Sequence, residues 1–106
     1  MFLGKVVGTV VSTQKDPKLC GLKLLLVQQV RAEDLAPRDL FHVVADAVGA
    51  GKGELVVCAG GSSARLTEIT DKLPVDTVIM AIVDTLELHG KNVYQKSDDH
   101  VTAGAI

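Results

Sequence analysis

The sequence has few aromatic side chains and no block of basic residues. Phe2, Phe41 and Tyr94 are the only aromatics among 106 residues, and the formal net charge is −2. A nucleic-acid-binding surface needs clustered Lys or Arg and aromatic rings on which bases stack. The sequence therefore predicts no nucleic-acid partner, and it predicts an aliphatic core.

Long apolar runs are also lacking. No run approaches the roughly 20 residues that span a bilayer. The N-terminal residues M-F-L-G-K-V-V-G have neither the charged region nor the cleavage site of a signal peptide. These absences predict a cytoplasmic protein with no membrane partner.

Cysteine is scarce, and the histidines are scattered. Cys20 and Cys58 do not form a C-x-x-C pair, so both are expected to be free thiols, with Cys58 in the core of a strand. His42, His89 and His100 show no metal-ligand spacing. The sequence predicts no metal and no cofactor.

Aliphatic residues, by contrast, are abundant. Residues of hydrophobic type make up 47% of the chain, and sixteen of them are valines, which favour strands. This length fits one domain, predicted over residues 1–95, followed by a tail at 96–106 that is either mobile or docked elsewhere. The apolar content exceeds what a small monomer needs and predicts association with copies of itself.

Six stretches are predicted to be strands; the one at Leu40–Val48 also fits a helix by periodicity, but its β-branched content and short bounded length favour a strand. Glycines at positions 4 and 8 of the first stretch, predicted to share one face, indicate a bend, a bulge or a close backbone approach. The charged segment Ala32–Asp39 is predicted to be a loop. Ser62–Ile69 is predicted to be a short helix, capped by Ser62 or Ser63. The strands are predicted at Phe2–Gln14, Leu22–Arg31, Leu40–Val48, Glu54–Ala59, Asp76–Leu88 and Lys91–Gln95. The pattern predicts a mainly β protein, a small antiparallel barrel of five to six strands with one short helix.

Half of the ten glycines lie between Val48 and Arg65. The run G-A-G-K-G at 49–53 superficially suggests a phosphate-binding loop. Such a loop is followed by a helix, whereas E-L-V-V-C, a strand, follows here, and G-K-[ST] is missing. A structural turn is the favoured interpretation.

No other group of residues predicts an active site. Gly60 to Ser63 precede the predicted helix and offer free N–H groups to an anion, but self-capping by serine is favoured. Asp76 and Asp84 flank an apolar strand. Paired acids can carry out acid–base chemistry, but a turn cap and an ion pair with Arg65 or a lysine are favoured. The sequence thus predicts that the protein is not an enzyme.

Several motifs, in this order, resemble the EutN/CcmL family of pentameric vertex proteins from bacterial microcompartment shells. The resemblance covers residues 2–88. It rests on G-x-V-V-S-T-Q-K at 8–15, K-L-L-L-V at 23–27, V-G-A-G-x-G-E at 48–54, G-G-S-S-A-R at 60–65, P-V-D at 74–76 and I-V-D-T at 82–85.

The resemblance implies an OB-like barrel that assembles as a cyclic homopentamer and closes the corners of a shell whose facets are hexameric proteins. It implies a structural function in the shell, inside the cytoplasm, without catalysis or cofactor. Two alternatives from the residues themselves are a small OB-type module that binds a metabolite or nucleic acid, and a small enzyme with a site between subunits.

The pentamer also suggests site residues. Small side chains surround a five-fold axis most easily, so the candidate pore-lining residues are Gly60, Gly61, Ser62 and Ser63. Glycine turns permit close approach, and charged residues form pairs between subunits. The candidate interface residues are therefore Gly49, Gly51, Gly53, Glu54, Arg65 and Asp84.

Overall fold

The computed structural model describes residues 1–11, 21–60 and 76–96, and every regular element of more than one residue in these ranges is a strand. The seven strands are β1 (Phe2–Val10), β2 (Leu24–Val30), β3 (Pro37–Asp46), β4 (Leu55–Gly60), β5 (Thr77–Ile82), β6 (Thr85–Leu88) and β7 (Lys91–Gln95). The predicted helix at 62–69 and the tail beyond Lys96 lie outside the described residues.

Five strands close a barrel in the order β1-β2-β3-β5-β4, and β6 and β7 form a separate two-stranded sheet. Every pairing in the barrel is antiparallel except one: β3 meets β5 in parallel at Ala45↔Val78 and Asp46↔Ile79. The prediction of a mainly β barrel is confirmed. The predicted antiparallel pairing holds for four of the five barrel pairings, and the short parallel contact between β3 and β5 departs from it and closes the ring.

Two predicted boundaries are also wrong. The stretch Asp76–Leu88 is two strands, separated at Val83 and Asp84, where the chain leaves the barrel to form the outer sheet. The Val83 N–H donates to the Leu55 carbonyl at 2.9 Å and ties this crossing to β4. The predicted loop at 32–39 ends early, because β3 begins at Pro37, opposite Val30. The first position of a strand tolerates proline, which has no N–H to donate.

The apolar residues form three clusters. The first fills the barrel and contains Val6, Leu25, Val27, Val44, Ala50, Val56, Cys58 and Ile79. The second lies outside the barrel, where Leu22 packs with Ala45 and Val78. The third joins the outer sheet to the barrel through Tyr94, which packs with Val30 and Leu55. Two outer sides of the barrel are therefore covered by the chain itself.

The two glycines of β1 have different functions and face opposite ways. A bulge lies between Val6 and Gly8, and the extra residue reverses the alternation, so the prediction that Gly4 and Gly8 share a face is wrong. A Cβ on Gly4 would collide with Val27 Cγ1 and lie 2.9 Å from the Gln28 carbonyl oxygen. A Cβ on Gly8 would lie 3.8 Å from the Leu26 Cβ, an ordinary contact. The predicted close approach is therefore confirmed at Gly4.

Gly4→Ala is expected to destabilise the protein by about 1–3 kcal/mol, because the added methyl has no room between β1 and β2. The matched control Gly8→Ala adds the same methyl where space exists. Urea unfolding of both variants at one protein concentration measures the difference. Equal unfolding midpoints for the two variants would show that the space at Gly4 between β1 and β2 can accommodate a methyl group.

Candidate assembly surface

A buried aspartate organises the glycine-rich turn. Asp46, at the end of β3, is 8% exposed, and its Oδ1 accepts hydrogen bonds from the backbone N–H groups of Val48, Gly49 and Ala50 at 2.9–3.1 Å. Asp and Asn side chains commonly stabilise turns by accepting N–H groups of following residues. The carboxylate thus fixes the chain direction directly after the strand.

Lys23 holds the same turn from β2's side of the barrel. Its Nζ lies 3.8 Å from Asp46 Oδ2 and donates to the Ala50 carbonyl at 3.3 Å. These contacts hold the turn against the end of the barrel, where Ala50 is buried in the interior cluster. Sequence reasoning missed both Asp46 and Lys23; an aspartate two to four residues before a glycine turn was the available signal.

Backbone geometry explains two of the glycines in this turn. Gly49 and Gly53 have φ of 78° and 87°, the left-handed region that glycine adopts without strain. The Gly53 N–H donates to the Val6 carbonyl at 2.8 Å, and the Val6 N–H donates to the Glu54 carbonyl at 3.1 Å. The turn is therefore bonded to β1, and β4 follows it at Leu55. This arrangement confirms the structural-turn interpretation over a phosphate loop.

Glu54 links the turn to the end of the outer sheet. Its Oε1 accepts the Gly51 N–H, and its Oε2 lies 2.9 Å from Lys96 Nζ. The hydrogen bond from Lys96 is the main cause that lowers the pKa of Glu54 from its ordinary value of 4.5; the Gly51 N–H lowers it further, while burial and the nearby Asp46 charge act the other way. Glu54 also raises the pKa of Lys96. Sequence reasoning proposed Glu54 for contacts between subunits and missed Lys96, its partner within the chain.

Asp84 lies at the same end of the outer sheet, in the gap between β5 and β6. Its carbonyl accepts the Lys96 N–H at 2.8 Å, and its negative charge contributes to the raised pKa of Lys96. Lys96 thus contacts both Glu54 and Asp84, and Gly51 is linked to it through Glu54. Gly60 is the exposed last residue of β4, opposite Thr77. Gly61, Ser62, Ser63 and Arg65 lie outside the described residues.

Cys58 is an inert core residue. Its side chain is fully buried in the barrel interior as a free thiol, and burial raises its pKa to about 12. Since the thiolate is the reactive form, this cysteine has little nucleophilic character near neutral pH. The prediction of a free thiol in a strand core is confirmed for Cys58; Cys20 lies outside the described residues.

His42 of β3 contacts neighbours on β1 and β2. His42 stacks on the Phe2 ring with centroids 4.3 Å apart, and its Nε2 lies 3.3 Å from Gln29 Oε1. Within residues 1–11, 21–60 and 76–96, no three His, Cys, Asp or Glu side chains are grouped to hold a metal ion. The same ranges contain no helix that is long and apolar enough to cross a membrane.

Residues 1–84 match the family model described as ethanolamine utilisation protein EutN/carboxysome. The chain is 42% identical over 100 residues to the carboxysome shell vertex protein CcmL of Gloeobacter violaceus, covering 94% of this chain and 99% of that protein. It is 49% identical over 87 residues to the microcompartment shell vertex protein GrpN of Rhodospirillum rubrum, covering 82% and 97%.

Solved structures agree with these relatives. The structure of Gloeobacter violaceus CcmL superposes with a TM-score of 0.87 at 43% identity, covering 92% of this chain and all of that one. The Rhodospirillum rubrum GrpN structure, a pentameric microcompartment shell protein, gives a TM-score of 0.72 at 46% identity, covering 83% and 98%.

The Glu54–Lys96 pair predicts a pH-dependent contribution to stability. Because the folded state lowers the pKa of Glu54, the ionised form stabilises the fold above the unfolded value of 4.5. That contribution is lost as the pH falls through the lower folded value. Glu54→Gln is therefore expected to be less stable than the wild type at pH 7, with the difference shrinking below pH 4.5.

Urea unfolding of the two proteins at a series of pH values measures this difference. Lys96→Met removes the other partner, and combining it with Glu54→Gln should add little further loss, since both changes break one interaction. A wild-type advantage that stays constant down to the lowest pH would contradict the assignment.

Proposed function

The chain belongs to the EutN/CcmL family, and from this we propose that five copies form a vertex of a bacterial microcompartment shell. The supporting observation is similarity over almost the full length of vertex proteins from different compartments, one of them a pentamer. The protein is a structural component of the shell, which lies in the cytoplasm. The comparisons support this function and not the OB-type binding module.

The physical requirement for such a protein is curvature. A flat sheet of hexagonal units cannot close, and pentagonal units at the corners allow it to do so. Five copies joined head to tail make a heterologous ring that closes by rotation. We propose that the partners are hexameric shell proteins and that the protein performs no catalysis and uses no cofactor.

We propose that Gly60, Gly61, Ser62 and Ser63 surround the five-fold axis. Every side chain at such an axis appears five times, so small residues fit where large ones clash. Gly60 supports this placement in one respect: it is exposed at the end of β4 and carries no side chain to crowd a neighbour.

We further propose that Gly49, Gly51, Gly53, Glu54, Arg65 and Asp84 contribute to contacts between subunits. Support comes from the contacts that link three of them: Gly51 is hydrogen-bonded to Glu54, and Glu54 and Asp84 both contact Lys96. Glu54 already has Lys96 as a partner within the chain. A residue of the neighbouring subunit that contacts the Glu54 Oε2 would therefore join an ion pair that already exists.

The first test is assembly. Native mass spectrometry is expected to show five associated 11.2-kDa chains. Co-expression with a hexameric microcompartment shell protein is expected to give closed polyhedra, while the hexamer alone is expected to give open sheets or tubes. A monomer whose mobility shifts with nucleic acid or a metabolite would contradict the vertex function and favour the binding module.

The proposed site residues are tested on the same pentamer. Ser63→Trp should weaken the ring, because five indoles cannot share a narrow axis, whereas Ser63→Ala should leave it intact. Arg65→Ala should weaken subunit contacts. Native mass spectra at falling protein concentration measure both effects. A Ser63→Trp pentamer as stable as wild type would remove Ser63 from the axis, and an unaffected Arg65→Ala pentamer would remove Arg65 from the interface.

A further inference from the structure

One outer side of the barrel carries apolar side chains that the described residues leave partly exposed. Phe41 and Val43 of β3 are 51% and 54% exposed. Leu26 of β2 lies directly opposite Val43 and is only partly covered. We call Leu26, Phe41 and Val43 the β2–β3 face.

Strand geometry fixes the direction of this face. Leu25, Val27 and Val44 fill the barrel interior and are at most 1% exposed. Since successive side chains of a strand point to opposite sides, Leu26 and Val43 point away from the interior. The face is therefore part of the outer surface of the barrel, not a poorly packed region of the core.

Two other apolar parts of the outer surface are covered by the chain itself. Leu22 packs on Ala45 and Val78, and Tyr94 packs on Val30 and Leu55. Phe41 differs from the other two aromatics, because Tyr94 is 5% exposed and Phe2 packs against the interior cluster. A half-exposed phenylalanine beside an exposed valine is unfavourable in water, and such patches commonly mark interaction surfaces.

The surroundings of the face have the composition of an interface. Gln28, Arg38 and Asp39 lie beside the apolar residues, and the Gln28 Nε2 donates to the Arg38 carbonyl at 2.9 Å. An apolar centre with a polar rim is the usual anatomy of a protein–protein contact. In addition, β3 pairs with β5 only at Ala45 and Asp46, so among the described residues the earlier part of β3 is hydrogen-bonded on one edge alone.

We propose that the β2–β3 face is covered by the adjacent copy of this chain in the pentamer. The proposal rests on the vertex function, and it adds a surface that differs from the glycine turn. A head-to-tail ring requires each copy to present two different surfaces, one to each neighbour. A pentameric relative that is 46% identical over 83% of this chain supplies the reason to choose a second copy as the occupant.

Val43→Asp tests the proposal. A carboxylate placed in an apolar contact loses hydration without gaining a partner, and the loss recurs at all five contacts, so association is expected to be roughly 100-fold weaker. The control is Val11→Asp, the same substitution at a valine that is 88% exposed and outside the face. Native mass spectra should show smaller species for Val43→Asp and pentamers for the control, with unchanged circular dichroism for both.

A second measurement remains informative if Val43→Asp does not fold. In the pentamer, Val43→Cys should react with a maleimide more slowly than Val11→Cys. The reaction of Val43→Cys should become faster once dilution dissociates the pentamer. The labelling of the native cysteines, measured on the wild type, is subtracted from both rates. A stable Val43→Asp pentamer with rapid labelling of Val43→Cys would overturn the β2–β3 face alone. A monomeric wild type would overturn the vertex function, and this contact with it.

Discussion

The Asp46 carboxylate is the interaction on which the end of the barrel depends. Asp46 is one of only two β3 residues that meet β5, so it stands where the ring of strands closes. Its side chain accepts three N–H groups of the following turn and lies near the Lys23 ammonium. Buried carboxylates are costly unless hydrogen-bonded, and here three donors and one cation satisfy the charge. Closure of the barrel and direction of the turn are therefore set at one residue.

From that turn, a chain of contacts reaches the outer sheet. The turn seats Ala50 in the barrel end and presents the Gly51 N–H to Glu54, whose second oxygen lies beside Lys96. The outer sheet is fixed independently by Tyr94, packed on Leu55 and Val30. Polar contacts thus align the glycine turn with the end of the outer sheet, while apolar packing of Tyr94 holds that sheet against the barrel. A small protein with little aromatic content needs both.

The residue pattern along the chain predicted most of the strands, because short, bounded stretches rich in valine favour strands over helices. It did not predict the break at Val83–Asp84, since strand-forming residues lie on both sides of it and the contact of Val83 with Leu55 is long-range. The parallel pair at Ala45 and Asp46 is a long-range contact with no local signature. The contacts of Asp46 with Lys23 and of Glu54 with Lys96 also join residues far apart in the sequence. The sequence pattern therefore predicted neither ion pair. The assignment to a shell vertex came from motif order and spacing, because no single residue of the chain carries a diagnostic chemistry.

Glycine density is a weaker guide to subunit contacts than the sequence suggests. Gly49 and Gly53 have left-handed backbone angles, and Gly4 touches Val27, so each of these glycines has a sufficient cause within one chain. Phe41 and Val43 have no such cause among the described residues: they face outward, and nothing described packs over them. A half-exposed phenylalanine contributes only part of its burial energy to the folding of one chain, whereas burial against a neighbouring copy would stabilise the assembly. Apolar surface that the described residues leave exposed is thus the stronger physical indicator of where the proposed ring is joined.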